Sequence, residues 1–280
     1  MHLVMILFAL LLVWFLRWRW SYPVGNWQER WQTALWSFLF GPLLLIMTAI
    51  ALLCMGANGQ MGGLQTGWFS YSLALSFLGY AVVLCLKLAI EGWRSVRQTR
   101  TYPQIELDGT VRFLDANVLF SAQVGFWEPE LVVSRGLLEM LDREHLDAVI
   151  AHEQGHYYYR DTFWFFWLGW MRSLTSFLPN TESLWQELLL LRELRADRWA
   201  AQKVDSLVLA ESLLWVGSCP PIQSENFCAA FSSVAPPNRL TERIEALLSQ
   251  EPLPRCPNNM WSWKWLVLAF LPLVSLPFHT

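Results

Sequence analysis

The chain has 280 residues, 54% of them hydrophobic and only 15% charged. Soluble domains carry about 25% charged residues, so an ordinary soluble protein is not expected. The net charge of −3 gives no electrostatic case for binding nucleic acid. Because the shortage of charge is concentrated in long apolar runs, the composition indicates a membrane protein whose partners include the lipid bilayer.

Three apolar runs near the N-terminus predict transmembrane helices at about 1–16, 33–55 and 68–90. The first run is followed by arginines rather than preceded by them, which favours a retained helix over a cleaved signal. The second run carries no charge, and Gly41-Pro42 predicts a kink within it. We therefore expect residues 1–91 to form a membrane region.

Positive charges in the connecting loops predict the orientation of these helices. They lie after the first run and after the third run, at Arg17, Arg19, Arg30, Lys87, Arg94, Arg97 and Arg100. The positive-inside rule places both groups on the cytoplasmic side. Residues 92–258 are then a cytoplasmic domain, and the apolar segment 261–278 is predicted to be a C-terminal transmembrane helix.

The start of the cytoplasmic domain alternates short apolar stretches with turn residues, which is typical of a small β-sheet. The predicted strands are 105–107, 111–114, 118–120, 124–127 and 131–133. Ser134 and Asp142 have the side chains preferred at helix N-caps, so each predicts the start of a helix. The second of these helices continues to about Tyr159.

The string His-Glu-Gln-Gly-His at 152–156 lies on that second helix. His152 and His156 are four residues apart, so both imidazoles leave the same helix face and can ligate one zinc ion. Glu153, beside the first imidazole, can take a proton from a water molecule on the metal. The pattern therefore predicts a catalytic Zn²⁺ site with Glu153 as its base.

Glu193 supplies the third protein ligand that such a site needs. Asp197 follows it by four residues on a predicted helix, in a position to accept the free N–H of a ligating histidine. The alternative is a surface helix with alternating charges, since arginines flank both acidic residues. The presence of an incomplete zinc motif upstream favours the metal-binding interpretation.

The apolar segment at about 162–178 lies between the two halves of this site. Only 37 residues separate His156 from Glu193, so a crossing of the membrane would require a return crossing within that interval. We predict a membrane-associated helix that keeps the active site close to the bilayer. A tightly tilted hairpin through the membrane is the alternative.

The residues around these motifs resemble the integral-membrane gluzincin zinc metallopeptidases. The similarity covers roughly 105–250 and includes the stretch from Val132 to His156, Arg160-Asp161, Arg192-Glu193 and Ala196-Asp197. The short interval before Glu193 is more similar to the BlaR/MecR-type branch than to the branch of HtpX-type and CAAX prenyl proteases. The resemblance implies His152, His156 and Glu193 as zinc ligands, Glu153 as general base and Asp197 as a trailing acidic residue.

Together these features predict a mainly α membrane protein with N-terminal transmembrane helices and a cytoplasmic α+β zincin-like peptidase domain. The expected activity is hydrolysis of peptide bonds in membrane or cytoplasmic proteins, with Zn²⁺ as cofactor. The alternative is a catalytically inactive membrane scaffold or signalling protein that retains a zinc site. The oligomeric state stays open.

Two further expectations concern the substrate and the surroundings of the site. An extended peptide is expected to add to an exposed strand edge near 122–127. Asp161 is interpreted as structural, pairing with Arg160 or with a backbone group. The residue that stabilises the oxyanion stays open among Arg192, Arg195, Arg198, His145 and the tyrosines 157–159.

Overall fold

A computed structural model describes residues 2–21, 27–57, 60–61, 64–65, 67–107, 109–218, 239–249, 266–274 and 276. The structure is mostly helical, with a small mixed four-stranded sheet among the described residues. The chain divides into two compact units. Unit 1 comprises 1–86, 170–188 and 254–280, and unit 2 comprises 87–169 and 189–253.

The helices follow the order of the apolar and amphipathic segments. They are α1 (His2–Trp18), α2 (Trp27–Met55), α3 (Trp68–Thr99), α4 (Arg135–Met140), α5 (Arg143–Tyr158), α6 (Asp161–Leu174), α7 (Thr181–Ala200), α8 (Ser206–Ser218), α9 (Leu240–Leu248) and α10 (Leu271–Val274). The strands are β1 (Gln60–Met61), β2 (Leu64–Gln65), β3 (Gln104–Leu107), β4 (Gly109–Leu114), β5 (Ser121–Val124) and β6 (Glu130–Ser134).

Unit 1 is built around α1 and α2, which pack along each other. Its core includes Val13 of α1, Leu44 and Leu45 of α2, and Leu178 from the segment that precedes α7. Within the described residues, α2 and α3 are long and apolar enough to cross a membrane, and α1 is a shorter apolar helix. The predicted helix at 261–278 falls partly outside the described residues.

A buried arginine in unit 1 compensates for the proline in α2. Pro42 has no N–H, so the carbonyl of Phe38, four residues earlier, loses its partner in the helix. Arg17 of α1 is 2% exposed and donates from Nη2 to this oxygen at 3.0 Å. The same guanidinium lies 5.5 Å from the centre of the Phe38 ring. The arginine therefore satisfies a backbone group that would otherwise be orphaned in an apolar core.

The sheet of unit 2 has the order β3-β4-β6-β5. β3 pairs with β4 and β5 pairs with β6 in antiparallel fashion, whereas β4 and β6 are parallel. Val133 of β6 is buried against Leu137 of α4 and Val149 of α5. The sheet thus forms the surface against which the helix carrying the histidine motif is packed.

The two predicted helix starts are confirmed. The Ser134 side chain accepts a hydrogen bond from Leu137 N, and Asp142 accepts one from His145 N. The predicted strand at 118–120 is wrong. The Ser134 hydroxyl donates to Val118 O and accepts from Phe120 N, and Phe120 O accepts from Ser134 N outside the regular ladder. Pairing begins one residue later, at the first residue of β5.

The helices α5 and α7 approach closely at a glycine. A Cβ on Gly155 would lie 3.2 Å from the Cα of Ala196 and 3.3 Å from its carbonyl oxygen. A larger residue at either position would separate the two helices. The small residues therefore let the helix that carries His152 and His156 lie against the helix that carries Glu193.

The apolar segment after the motif is shorter than a membrane span. α6 has 14 residues, or about 21 Å at 1.5 Å per residue, against a hydrocarbon core of about 30 Å. The helix that follows, α7, carries Glu182, Glu187 and the charged residues from 192 onward. These features do not favour the hairpin alternative, and the membrane-associated helix stays a prediction.

Candidate metal centre

Three side chains that the motifs singled out lie together in unit 2. His152 and His156 come from α5 and Glu193 from α7, and one ligand atom from each lies within 4.8 Å of the others. Their side chains are largely buried, at 10%, 11% and 8% exposure for His152, His156 and Glu193 respectively. The arrangement brings two imidazoles and one carboxylate to a single point.

The distances between these ligand atoms fit a small divalent cation. The two Nε2 atoms are 3.1 Å apart, and Glu193 Oε2 lies 3.3 Å from His152 Nε2. Glu193 Oε1 lies 3.7 Å from His156 Nε2. Tetrahedral zinc with bonds of about 2.0–2.2 Å places its ligands about 3.3–3.6 Å apart. Nitrogen and oxygen donors at these separations fit the metal that the motif predicts.

Each imidazole has an aspartate behind it. His156 Nδ1 is 2.8 Å from Asp161 Oδ2, at hydrogen-bond distance. His152 Nδ1 is 2.8 Å from Asp197 Oδ1, close enough for an ion pair, although the ring is not turned to donate a hydrogen bond. A carboxylate behind a ligating histidine selects the tautomer that leaves Nε2 free for a metal.

Asp161 does not pair with Arg160, as the sequence had suggested. Its carboxylate contacts His156 through one oxygen and Arg195 of α7 through the other. The prediction that Asp161 pairs with Arg160 or with a backbone group is therefore wrong. Asp161 lies beside His156 Nδ1 as Asp197 lies beside His152 Nδ1, although Asp161 follows its histidine by only five residues.

Arginines neutralise the carboxylates of the centre. Arg192 donates from Nε and Nη2 to Glu193 Oε1, at 2.9 and 2.7 Å. Arg243 of α9 forms a two-pronged contact with Asp197, at 2.8 and 2.7 Å, and its Nη1 lies 3.4 Å from Glu193 Oε2. Arg243 thus joins Glu193 to Asp197, the aspartate behind His152.

The ionisation of the buried groups follows from these contacts. Burial raises the pKa of Glu193, but Arg192, His156 and Arg243 outweigh it and hold the pKa well below its usual value. Burial likewise opposes ionisation of Asp197, yet Arg243 and His152 lower its pKa. Both carboxylates are therefore charged at neutral pH.

The imidazoles respond in the opposite direction. Burial lowers the pKa of His156, but Glu193 and Asp161 outweigh it and raise the pKa to about 10. Burial also lowers the pKa of His152, and the carboxylates of Asp197 and Glu193 again raise it. The surrounding carboxylates thus create a negative potential at the two imidazoles, which favours a bound positive charge there.

Glu153 lies beside the metal-binding group and next to the sheet. It is 7% exposed, and its Oε1 accepts a hydrogen bond of 2.9 Å from the Ser121 hydroxyl of β5. Gln123, also on β5, donates to the backbone oxygen of Glu153 at 3.3 Å. The edge strand therefore positions the carboxylate that the motif predicts to be the base.

Two of the other candidate side chains already have partners. His145 lies between Asp142 and Glu211 and stacks on Trp215, with ring centres 4.5 Å apart. Arg195 contacts Asp161 and lies over the Tyr159 ring. Neither belongs to the group of possible metal ligands among the described residues.

Sequence reasoning missed Arg243 and Ser121. No spacing rule connects Arg243 to the motifs, because it follows Asp197 by 46 residues and belongs to another helix. Ser121 could have been found only through the register that places β5 beside α5. Both residues reach the centre through tertiary packing alone.

The comparisons with known proteins agree with this geometry. Residues 115–250 match the model of peptidase family M48, and this range contains every residue of the centre described above. The match gives no support to the preference for the BlaR/MecR-type branch that the short interval suggested. No curated protein matches the chain. Over residues 115–250 the chain is therefore similar to peptidase family M48, and this similarity implies a metallopeptidase.

Proposed function

We propose that the protein is a membrane-embedded, zinc-dependent metalloendopeptidase that cleaves membrane or cytoplasmic proteins. The observation that carries this proposal is the convergence of His152, His156 and Glu193 beside the carboxylate of Glu153. The similarity of residues 115–250 to a peptidase family supports the reaction class, which is hydrolysis of a peptide bond. The donor set supports zinc, because two imidazoles and one carboxylate leave a fourth position open.

The protein groups around the metal have separate roles in this proposal. His152, His156 and Glu193 would hold the zinc ion, which supplies Lewis acidity and a water molecule of lowered pKa. Glu153 takes the proton of the attacking water and later delivers it to the leaving amine. The Ser121 hydroxyl fixes one oxygen of Glu153, so that the other oxygen is left to receive the proton.

The substrate in this proposal lies extended beside β5. β5 pairs only with β6 within the described sheet, so its other edge is the terminal one. The strand also contacts α5, which carries the base. An added strand would form backbone hydrogen bonds with β5 and place a peptide carbonyl near Glu153. The predicted region 122–127 overlaps β5 at residues 122–124.

Two helices support the location in a membrane. The apolar windows of α2 and α3 have mean hydropathies of 2.5 and 2.2. Only 11% of the residues in the α3 window are buried within the protein. A helix with so much exposed apolar surface is unfavourable in water and favourable in the hydrocarbon core.

The cytoplasmic location of the active site follows from the charges at the end of α3. Lys87, Arg94, Arg97 and Arg100 follow its most apolar part. A reporter enzyme fused after Arg100 is expected to be active only in the cytoplasm. Activity of the fusion on the opposite side of the membrane would contradict this orientation without affecting the peptidase proposal.

Replacement of the proposed base tests the reaction directly. Glu153→Gln keeps the size of the side chain and removes its ability to accept a proton, so we expect peptidase activity to fall by about 10²–10⁴-fold. The measurement compares new protein termini in cells that carry the wild type or the variant. Metal content is measured in parallel and is expected to stay at one zinc ion per chain.

Glu144→Gln is the matched control for this experiment. Glu144 lies in the first turn of the same helix and is exposed, so the identical chemical change should leave activity unaltered. Equal activity of wild type and Glu153→Gln would contradict the proposal, and it is the result expected of a scaffold that only binds metal.

A further inference from the structure

A cavity of about 440 Å³ lies beside the candidate active site in unit 2. Its walls come from the loop after β5, the last turn of α5 and the C-terminal part of α7, with Phe126, Trp127, Tyr157, Tyr158, Arg160 and Trp199 among the lining residues. The volume falls within the range of about 300–1,000 Å³ that is typical of ligand sites. The mechanism proposed above does not use any of these side chains.

The aromatic wall of the cavity is held in place by packing beneath it. The Phe126 ring lies 4.9 Å from the centre of Phe163 and 5.1 Å from that of Phe166. Trp127 packs on Phe163 at 4.9 Å but keeps 67% of its surface exposed. A fixed and exposed aromatic surface favours contact with an apolar or aromatic side chain of a ligand.

The rim of the cavity carries an uncompensated positive charge. Arg160 is exposed, and within the part of the chain that the structure describes its guanidinium forms no ion pair with a carboxylate. The adjacent Asp161 is already engaged by His156 and Arg195. Arg160 has a φ of 53°, the left-handed conformation in which many helices end, directly after the C-cap Tyr159 of α5.

The cavity lies where a peptide bound along β5 would continue. Phe126 and Trp127 follow the last residue of β5 after Gly125, whereas Ser121 at its first residue contacts Glu153. Because a strand rises about 3.3 Å per residue, the far end of β5 lies about three residues from the base. Phe126 follows Ser121 by five residues, so a substrate residue about three to five positions from the scissile bond would reach the aromatic wall.

We propose that this cavity is a specificity site that takes a bulky apolar or aromatic substrate side chain with a carboxylate next to it. The aromatic wall holds the apolar group, and Arg160 at the rim pairs with the carboxylate. The carboxylate belongs either to an aspartate or glutamate side chain or to a free C-terminus of the polypeptide. This inference rests on the proposed peptidase function and adds to it the class of sequence that the enzyme selects.

A peptide library tests the proposal by binding rather than cleavage. The full-length chain carrying Glu153→Gln is purified in detergent, loaded with zinc and used to capture ten-residue peptides with random central positions. Half of the library has free C-termini and half has amidated ones, which separates the two sources of the carboxylate. We expect acidic residues next to aromatic ones to be enriched, by about three- to tenfold over their neutral amides.

Variants then assign the preference to the cavity. Arg160→Gln should abolish the enrichment of acidic residues, and Arg160→Lys should retain part of it because the charge remains. Trp127→Ala should reduce the enrichment of aromatic residues and leave the acidic preference in place. Arg143→Gln, at the exposed start of the same α5 helix, is the control and should keep the full profile.

The outcomes that overturn the proposal differ from those that overturn the peptidase function. If the parent chain enriches no acidic residues, or if Arg160→Gln keeps the enrichment, the cavity is not a specificity site. Unaltered peptide selection in Arg160→Gln is also the result expected of a surface that meets lipid headgroups. If the wild type and the variants of the cavity all cleave with the same residue preference, this site alone is contradicted. If the wild type cleaves no substrate, the peptidase function is contradicted.

Discussion

Two buried sites, one in each unit, accommodate charge in different ways. In unit 1, Arg17 is 2% exposed and donates to the backbone carbonyl of Phe38. In unit 2, the charged side chains around the metal-binding group form a buried ionic cluster, defined by Glu153, Asp161, Glu193 and Asp197 with Arg192, Arg195 and Arg243. Arg17 is thus satisfied by a backbone dipole, whereas the charges of the ionic cluster are satisfied by opposite charges.

The difference shows which of the two arrangements favours a bound metal ion. The ionic cluster contains four carboxylates and three guanidiniums, so it has an excess of negative charge when the imidazoles are neutral. A divalent cation between His152 and His156 therefore finds a favourable potential. Arg17 is itself a cation, so its site does not attract a metal ion. Substitutions can test the charge balance of the cluster and the hydrogen bond of Arg17 separately.

The largest expected effect is the loss of Arg243 from the ionic cluster. Arg243→Gln leaves Asp197 and Glu193 buried without a shared counter-charge, which should lower the free energy of unfolding by about 3–5 kcal/mol in the metal-free protein. Bound zinc replaces part of the lost positive charge, so the deficit should be smaller in the zinc-loaded protein. Thermal unfolding with and without chelator measures both. An equal deficit in the two forms would contradict the role of Arg243 in charge balance.

Removal of the aspartate charges should weaken metal binding. Asp197→Asn and Asp161→Asn each remove the carboxylate behind one imidazole, and we expect zinc affinity to fall by about 10–100-fold in each. Competition with a fluorescent chelator measures the affinity. Asp147→Asn, at a half-exposed position of α5, is the control and should bind zinc like the wild type. Wild-type affinity in Asp161→Asn would show that the contact with His156 does not orient the ring.

In unit 1, the effect of Arg17 should depend on Pro42. Arg17→Met leaves the carbonyl of Phe38 without a donor and should lower the free energy of unfolding by about 1–2 kcal/mol. In a Pro42→Ala background the restored N–H of residue 42 can bond that carbonyl, so the same substitution should cost less. Thermal unfolding of the four proteins measures the coupling. Additive effects would show that the arginine does not serve the proline.

The smallest effect concerns His145, whose partners are exposed. Its hydrogen bond to Asp142 raises the pKa of the imidazole above 6.5, although burial opposes this. The ion pair is therefore complete below about pH 6.5 and is lost as the pH rises through the folded pKa. Because Asp142 and Glu211 are 66% and 62% exposed, the contribution should stay below about 1 kcal/mol.

Unfolding of wild type and His145→Gln between pH 6 and 8.5 measures this contribution. The difference in stability between the two proteins should shrink as the pH rises. A difference that grows with pH would show that the neutral imidazole, stacked on Trp215, is the stabilising form.

The parts of the site that could be predicted are those with a helical period. His152, Glu153 and His156 share one helix, and Glu193 with Asp197 shares another, so spacing alone pairs them on their faces. Each of these groups lies where the sequence placed it relative to its own helix. The distance between the two helices could not be derived from the period.

The parts that could not be predicted depend on contacts between distant segments. Arg243 and Ser121 join the centre from α9 and β5, and Arg17 reaches Phe38 across two helices. The strand error at 118–120 has a similar origin, because the side chain of Ser134 competes with the ladder there. A side chain that replaces a backbone partner leaves no periodic trace in the sequence.

The bare backbone at Gly155 has a mechanical consequence for the metal. Neither Gly155 nor Ala196 offers an atom that can coordinate an ion, yet their contact sets how far apart the imidazoles and the Glu193 carboxylate are held. One added methyl group would need a displacement of a few tenths of an ångström, which is similar to the tolerance of about 0.2 Å in metal–ligand bonds. The spacing of the metal-binding side chains is therefore set by two residues that cannot bind metal themselves. A substitution at either one would shift the preferred ionic radius while His152, His156 and Glu193 stay unchanged.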